Sequence, residues 1–477
     1  MLRLVLFIAA VTVLRLRFQV DFPGFMTLDS PDYILAASGF ARLFDLSTEA
    51  LGAWRLPGYP VFLALVGHLT AFTSDSIVLS QVFLGIAAVV VGLGIGRVLH
   101  SRLVAELLVL FLGLSPVYLL NEHLVMAETV FLFTLVVFAL LASMCLRRAA
   151  SWPLGVALGT TVAACVLTRS NGLFFCGPVM AAVVWIQWVT PRRAARAAEP
   201  RATGAKFLLG FAIAGLVVGG PWVWRNQQLY GTFTPFTKNF NRNLLIYHSQ
   251  HDLLDPSLPA IRAFRPAWNP KIHSVYMLIV RLGPNDDDAE RRARAIVLEQ
   301  TADHPERYLA EVGNALANFA GYAAPRPGLN DVATWFENVV NRVAYLNAVN
   351  RDLAGGLAHT RFAYVSRAGD TWLTRAVSEA GTLYLGTIRP GIFSLFALCL
   401  GAHAYRRRFR VEQPNDVAIG MFGGAWIVTA LAHSLTLSDY DRFAAPFDWV
   451  MVLVIGLVAA SATRELGRHG ADSSRSD

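Results

Sequence analysis

Charge is scarce in this sequence. Lysine, arginine, aspartate and glutamate make up 16% of its 477 residues, where a soluble globular chain carries roughly 25%. Hydrophobic residues make up 55% and the mean hydropathy is +0.46, so much of the chain has lipid for its solvent. Cysteine is rare too. Cys145, Cys165, Cys176 and Cys399 all lie in or beside apolar runs, with no Cys-x-x-Cys pair and no Cys/His spacing for zinc, which predicts neither disulfide nor structural metal. A Walker A loop, a dinucleotide fingerprint, His-Glu-x-x-His and a Gly-x-Ser-x-Gly elbow are all missing. Gly92-Leu93-Gly94-Ile95-Gly96 lies inside an apolar run and reads as helix packing.

What is present is a series of apolar runs with basic clusters between them. The net charge of +8 comes in short groups, Arg147–Arg148, Arg192 to Lys206 and Arg406 to Arg410, as in the inward loops of membrane proteins and unlike a nucleic-acid-binding face. Runs long enough to cross a bilayer are Leu4–Val20, Ile77–Leu99, Leu103–Leu120, Leu124–Leu146, Trp152–Thr168, Gly172–Val189, Phe207–Trp224, Leu383–Tyr405, Val417–Leu435 and Ala444–Ala462, each near the roughly 20 residues a span needs. The first resembles a signal peptide, but Arg15, Arg17 and Phe18 follow instead of a small-x-small site, so it reads as an uncleaved span. A shorter run, Pro57 to Phe72, decides the topology of all that follows. With a cytoplasmic amino terminus and that run lying on or dipping into the outer surface, Arg97/Arg102, Arg147/Arg148, Arg192–Lys206, Arg406–Arg410 and Arg464/Arg468 all fall inside, as positive charge should. Arg15 and Arg17 argue mildly against this and are expected to snorkel to the outer interface.

The expected fold is an α-helical polytopic membrane protein with about ten spans and a surface or re-entrant helix at 57–72. An amino-terminal module, 1–225, carries the first outer loop, 18–76. A long, partly helical outer region follows at 226–382, with helix starts at Asp286–Glu290 and at His304-Pro305. Carboxy-terminal spans occupy 383–463, and a polar tail at 464–477 is expected to be disordered.

On this topology the unusual polar residues at span ends gather on the outer face. They are Asp29 and Asp32, Glu122 and Glu128, Arg169, Arg225–Asn226, and Asp439, Asp441 and Arg442. Acids and arginines at one membrane surface suit a charged lipid headgroup plus a general base. Plainer readings stand beside this one. Asp29 before Ser30-Pro31 suits a helix cap. Glu128 suits a helix-start acid, His123 an interfacial histidine, and Trp222 and Trp224 an aromatic belt. Arg225 either anchors its span or pairs with a phosphate.

Taken in order, these residues resemble the GT-C membrane glycosyltransferases, in the protein O-mannosyltransferase and aminoarabinose-transferase-like branch (glycosyltransferase family 39-like). The resemblance rests on Asp29 to Tyr33, an Asp-x-x-x-Tyr element after the first span, and on Arg55-Leu56-Pro57-Gly58-Tyr59-Pro60, similar to Arg-Pro-Pro-Gly-Tyr-Pro. It continues through Pro116 to Glu128-Thr129, Leu167-Thr168-Arg169-Ser170-Asn171, Pro221-Trp222-x-x-Arg225-Asn226 and Asp441-Arg442-Phe443. It covers about 1–230 and 435–450, and departs from the pattern at Leu56 and Phe443. It implies inverting transfer of a sugar from a polyprenyl-phosphate donor to a hydroxyl of an acceptor glycan, lipid or protein, on the outer face of a bacterial inner membrane. It implies Asp29 as base, with Asp32 as the alternative, and Glu128 as the second-loop acid. Arg225, Arg442 and Arg169 become candidates for the donor phosphate, and Arg55, Tyr59 and Asn226 for the substrate loop. No cofactor is expected, although other GT-C branches use a divalent metal. A transporter or lipid flippase would show paired halves and acids at the midplane. An O-acyltransferase would need a prominent intramembrane histidine, for which His68 and His433 are poor candidates.

Overall fold

The computed structural model describes residues 2–22, 24–27, 29–40, 55–147, 151–188, 199–236, 287–322, 343–358, 360–366, 371–407, 414–437 and 444–473, with scattered positions between 241 and 259. Among these residues the chain is helical, apart from turns and isolated bridges. The helices are α1 (Leu2–Asp21), α2 (Ser30–Phe40), α3 (Gly58–Leu69), α4 (Ser74–Val98), α5 (Arg102–Leu114), α6 (Pro116–Glu122), α7 (Glu128–Arg147), α8 (Trp152–Thr168), α9 (Gly172–Trp188) and α10 (Glu199–Tyr230). They continue with α11 (Asp287–Asp303), α12 (Pro305–Phe319), α13 (Val343–Gly355), α14 (Trp372–Leu383), α15 (Arg389–Arg407), α16 (Pro414–Leu435) and α17 (Asp448–Ser473).

Among the described residues six helical stretches are long and apolar enough to cross a membrane, or seven if the bent pair α5–α6 is counted as one span. Helices α3, α8 and α9 are apolar but shorter. The 12 residues of α3 rise about 18 Å, well short of a hydrocarbon core of ~30 Å, as a surface or re-entrant helix requires.

Several boundaries differ from expectation. The run Leu103–Leu120 is not one straight span: it breaks by 52° between α5 and α6. Ser115 has ψ 118°, the extended conformation imposed on a residue before proline, and Pro116 then starts the next helix. The boundary expected at 225/226 falls inside α10. That expected at 382/383 falls inside a helical stretch from Trp372 to Arg407, carried through by one π turn at Tyr384–Ile388. The tail expected to be disordered from 464 is helical to Ser473. Propagating an existing helix is easier than nucleating one, and Glu465, Leu466 and Arg468 are good formers.

Glycine sets the closest approaches. Added Cβ atoms at Gly155 and Gly159 of α8 would collide with the carbonyls of Phe207 and Phe211 on α10, so this small-x-x-x-small stripe brings the two backbones together. Gly96 does the same for α4 against α5, where a Cβ would strike the backbone of Ala105. Arg15 does not snorkel. It is buried in the bundle, pairs with Glu122, and donates to the carbonyls of Leu112 (2.5 Å) and Gly113 (3.2 Å) freed where α5 breaks. A Cβ at Gly85 would strike this pair. Arg17 is exposed and pairs with Asp21 at 2.9 Å.

A candidate active site of paired acids and arginines

The first loop and the turn before α7 are far apart in sequence and adjacent in space. Phe25 N–H donates to the His123 carbonyl (2.8 Å), and Val125 N–H donates to the Phe25 carbonyl (3.1 Å). The Ser30 hydroxyl accepts from Thr27 N–H (2.8 Å) and donates to the Val125 carbonyl (2.9 Å). These bonds fix the start of α2, where Asp29 sits, against the start of α7, where Glu128 sits. His123 is buried between Phe18 and Phe22 with Nδ1 on the Leu119 carbonyl, so it is a core residue and not an interfacial one.

Three ion pairs result, two of them made by Arg55. Arg55 Nη2 lies 2.6 Å from Asp29 Oδ1 and 3.1 Å from Asp32 Oδ2. The Asp29 side chain is 20% exposed and that of Asp32 51%. Arg169 Nη1 lies 2.7 Å from Glu128 Oε1, with Glu128 buried. Tyr33 is within the electrostatic reach of both groups. Arg55 covers its face at 5.1 Å. Burial pushes the Tyr33 hydroxyl above its ordinary pKa, while Arg55, Asp29, Glu128 and Arg169 all act on it electrostatically. Burial works to lower the Arg55 pKa, but Asp29, Tyr33 and Asp32 outweigh it and hold the guanidinium above its usual range. Arg55 is therefore a permanent cation that fixes two carboxylates.

Tyr59 packs edge-on against Tyr33, with ring centres 5.0 Å apart. Its hydroxyl donates to Gln81 Oε1 (2.7 Å), and Gln81 Nε2 donates to the carbonyls of Glu122 (2.8 Å) and Leu124 (2.7 Å). One amide inside α4 thus ties the surface helix α3 to the turn that carries Glu128. Gln81 belongs to none of the sequence motifs, although a lone amide inside an apolar run is a signal in itself.

Gly58 has no room for a Cβ against Thr168 and Leu167, so the Arg55–Pro60 segment sits directly on the end of α8. Leu56, Leu167 and Trp222 form one buried cluster. Trp222 in turn faces Arg225, whose guanidinium lies 4.5 Å from its ring and 5.7 Å from that of Tyr230. Arg225 is buried. The Asn226 amide is spent on the chain reversal after α10: it donates to the carbonyls of Thr234 (2.8 Å) and Phe236 (3.1 Å), across a left-handed Gly231 (φ 63°). Arg442, Asp439 and Asp441 lie outside the described residues.

A further buried pair was not foreseen. Arg389 Nε lies 3.0 Å from Asp448 Oδ2, Tyr384 donates to the same oxygen (2.8 Å), and Arg389 Nη2 donates to the Phe319 carbonyl (3.0 Å). It fastens the start of α15 to the start of α17 and to α12. Among the described residues no group of three His, Cys, Asp or Glu side chains is placed to hold a metal ion.

No protein-family model and no curated protein sequence matches the chain. Solved structures do. The apo oligosaccharyltransferase of Archaeoglobus fulgidus aligns over 98% of this chain and 52% of its own, at 13% identity and TM-score 0.50. The AglB oligosaccharyltransferase of the same organism, in complex with an inhibitory peptide and a dolichol-phosphate, aligns over 99% and 52%, at 12% identity and TM-score 0.50. ArnT from Cupriavidus metallidurans, bound to undecaprenyl phosphate, aligns over 97% and 79%, at 12% identity and TM-score 0.37. The chain spans about half the length of the oligosaccharyltransferases it matches. The chain shares its fold with the Archaeoglobus fulgidus oligosaccharyltransferase.

Proposed function

We propose that the chain is a membrane glycosyltransferase that moves a sugar from a polyprenyl-phosphate donor to an acceptor hydroxyl at the acid-bearing end of its helix bundle, on the extracytoplasmic side of a bacterial inner membrane. The observation that carries the reading is the convergence of Asp29, Asp32, Arg55, Glu128 and Arg169 around Tyr33, on a GT-C fold.

In this reading Asp29 accepts the proton of the acceptor hydroxyl as its oxygen attacks the anomeric carbon. The bond from that carbon to the phosphate oxygen breaks, and polyprenyl phosphate leaves with the electron pair. A single displacement inverts the anomeric configuration, the logic of inverting glycosidases. Negative charge grows on the leaving phosphate, and a preplaced cation in a water-poor site stabilises it. Arg225 is the candidate for that task, buried with its guanidinium against the rings of Trp222 and Tyr230, on the helix whose Trp222 packs on Leu56 and Leu167. Arg169 is placed differently. Its partner is Glu128, so it serves the second acid first. Arg55 holds Asp29 in place for attack. Asn226 supports the backbone turn beside Arg225.

Asp29→Asn keeps the shape of the side chain and removes the base. It should lower turnover of a polyprenyl-phosphate sugar by about 10²–10⁴-fold, the usual worth of a general base, with little change in expression or thermal stability. Asp32→Asn, on the more exposed arm of the Arg55 pair, should be milder. Near-normal turnover by Asp29→Asn beside a dead Asp32→Asn exchanges their roles, and normal turnover by both removes the base from this loop.

A further inference from the structure

The extended segment before Asp29 is held on two sides, and the second side is supplied by α13. Successive residues of an extended chain turn their backbone N–H groups to opposite sides. Phe25 bonds to the turn before α7, at 2.8 Å to the His123 carbonyl and 3.1 Å from Val125 N–H, so Met26 N–H faces away from that turn. There it donates to Asn350 Oδ1 at 3.0 Å. Both residues are buried, so bulk water does not reach the bond. We propose that Asn350 is a positioning residue, whose amide oxygen fixes the backbone from which Asp29 projects. This rests on Asp29 being the base of the proposed transfer.

Chemistry sets the orientation of the Asn350 amide. A backbone N–H needs an acceptor, which places Oδ1 on Met26. Nδ2 then donates to the Tyr364 hydroxyl (3.2 Å), which donates in turn to Asn347 Oδ1 (2.7 Å). The stretch that carries Tyr364 is anchored at the junction of α3 and α4. Ala363 N–H donates to the Phe72 carbonyl (3.0 Å), Ser74 N–H to the Ala363 carbonyl (3.0 Å), and Val365 N–H to Ser74 Oγ (2.9 Å). Leu357 and Phe362 enter the buried cluster that holds Met26, Tyr59 and Ala127. Asn350 is thus fixed from its own side. From Met26 the path to the base is short. The hydroxyl of the next residue, Thr27, accepts from Asp29 N–H at 3.3 Å, and Thr27 N–H is held by Ser30 Oγ at 2.8 Å.

Asn350→Leu keeps the bulk of the side chain and removes the accepting oxygen. Two measurements on the full chain test the proposal. In hydrogen exchange, the peptide carrying Met26 should take up deuterium faster in Asn350→Leu, whatever the reaction. In turnover of a polyprenyl-phosphate sugar, kcat should fall about ten-fold, within what a displaced catalytic group costs, while donor KM changes less than about two-fold. In the Asp29→Asn background the same substitution should cost almost nothing more, because a base that is absent cannot be misplaced. Arg351→Gln, the next residue of α13, with its Nε on Ser366 Oγ at 3.1 Å, should change none of these. If Asn350→Leu does not fold, Asn350→Ala, which also lacks the oxygen, makes the same test. With Asp29→Asn impaired, unchanged exchange at Met26, an unchanged kcat or an equal loss in the Asp29→Asn background overturns the proposal and leaves the base in place. Full turnover by Asp29→Asn removes the base itself, and the proposal with it.

Discussion

The Asp29–Arg55–Asp32 and Glu128–Arg169 pairs show how one residue type takes different roles in different surroundings. Arg55 and Arg169 each face a carboxylate at 2.6–2.7 Å. Arg225 faces two aromatic rings. All three arginines stand out in the sequence, but their ranking does not, because an arginine's partner depends on which segments meet. Asp29 and Glu128 stand out as well, and their proximity is not legible, since it depends on the Phe25–Leu124 bridge between distant segments. Arg225→Lys keeps the charge and loses the planar stack on Trp222. It should raise KM for the donor about ten-fold while thermal stability stays within a degree or two, and Arg225→Ala should be worse. Unchanged donor KM in both variants would make Arg225 an anchor of its span. Gln81 acts through Tyr59 and is a positioning residue. Tyr59→Phe and Gln81→Leu should each reduce kcat more than they change donor KM. In a double-mutant cycle they should be non-additive by about 1 kcal/mol, the usual net worth of a buried hydrogen bond. Additive losses would mean that the 2.7 Å bond does not carry the effect.

At the scale of elements, helix presence follows from the apolar runs, and the departures have local causes. Ser115-Pro116 breaks a run that hydropathy alone reads as continuous. Pro178 and Pro221, by contrast, lie inside α9 and α10, which run on past them. The break at Ser115 frees backbone carbonyls in an apolar setting, and the Arg15 guanidinium takes up those of Leu112 and Gly113. Glu122, which sequence position groups with the outer acids, instead neutralises Arg15. No single-sequence pattern joins positions more than a hundred residues apart in this way, although an arginine this close to the middle of an apolar helix calls for a partner. Removing one member of a buried pair leaves an uncompensated charge, at a cost of about 3–5 kcal/mol. Arg15→Met should therefore lower the melting temperature in detergent sharply, and Arg15→Met/Glu122→Leu should recover most of the loss. A double variant as unstable as the single one would show that the pair is not what limits stability there.

For the whole molecule, the bundle sets the paired acids and arginines of the candidate site at one end and a second group of basic residues at the other. Helix α7 shows this directly, with Glu128 at its start and Arg147 at its end. This polarity is legible in the charge pattern of the sequence, because the same rule that sets loop orientation sorts the arginines. The region between α10 and α14 was less legible. It carries short amphipathic helices whose partners are other loops and span ends, such as Asn350, which accepts from Met26 N–H at 3.0 Å near the start of the candidate site. The most direct test of a glycosyltransferase reading is to reconstitute the full chain with a panel of polyprenyl-phosphate sugars and measure the polyprenyl phosphate released. Release of polyprenyl phosphate from at least one donor, dependent on an added acceptor and abolished by Asp29→Asn, is the predicted result. Intact donors moved across the vesicle membrane without cleavage would contradict it and make the chain a transporter.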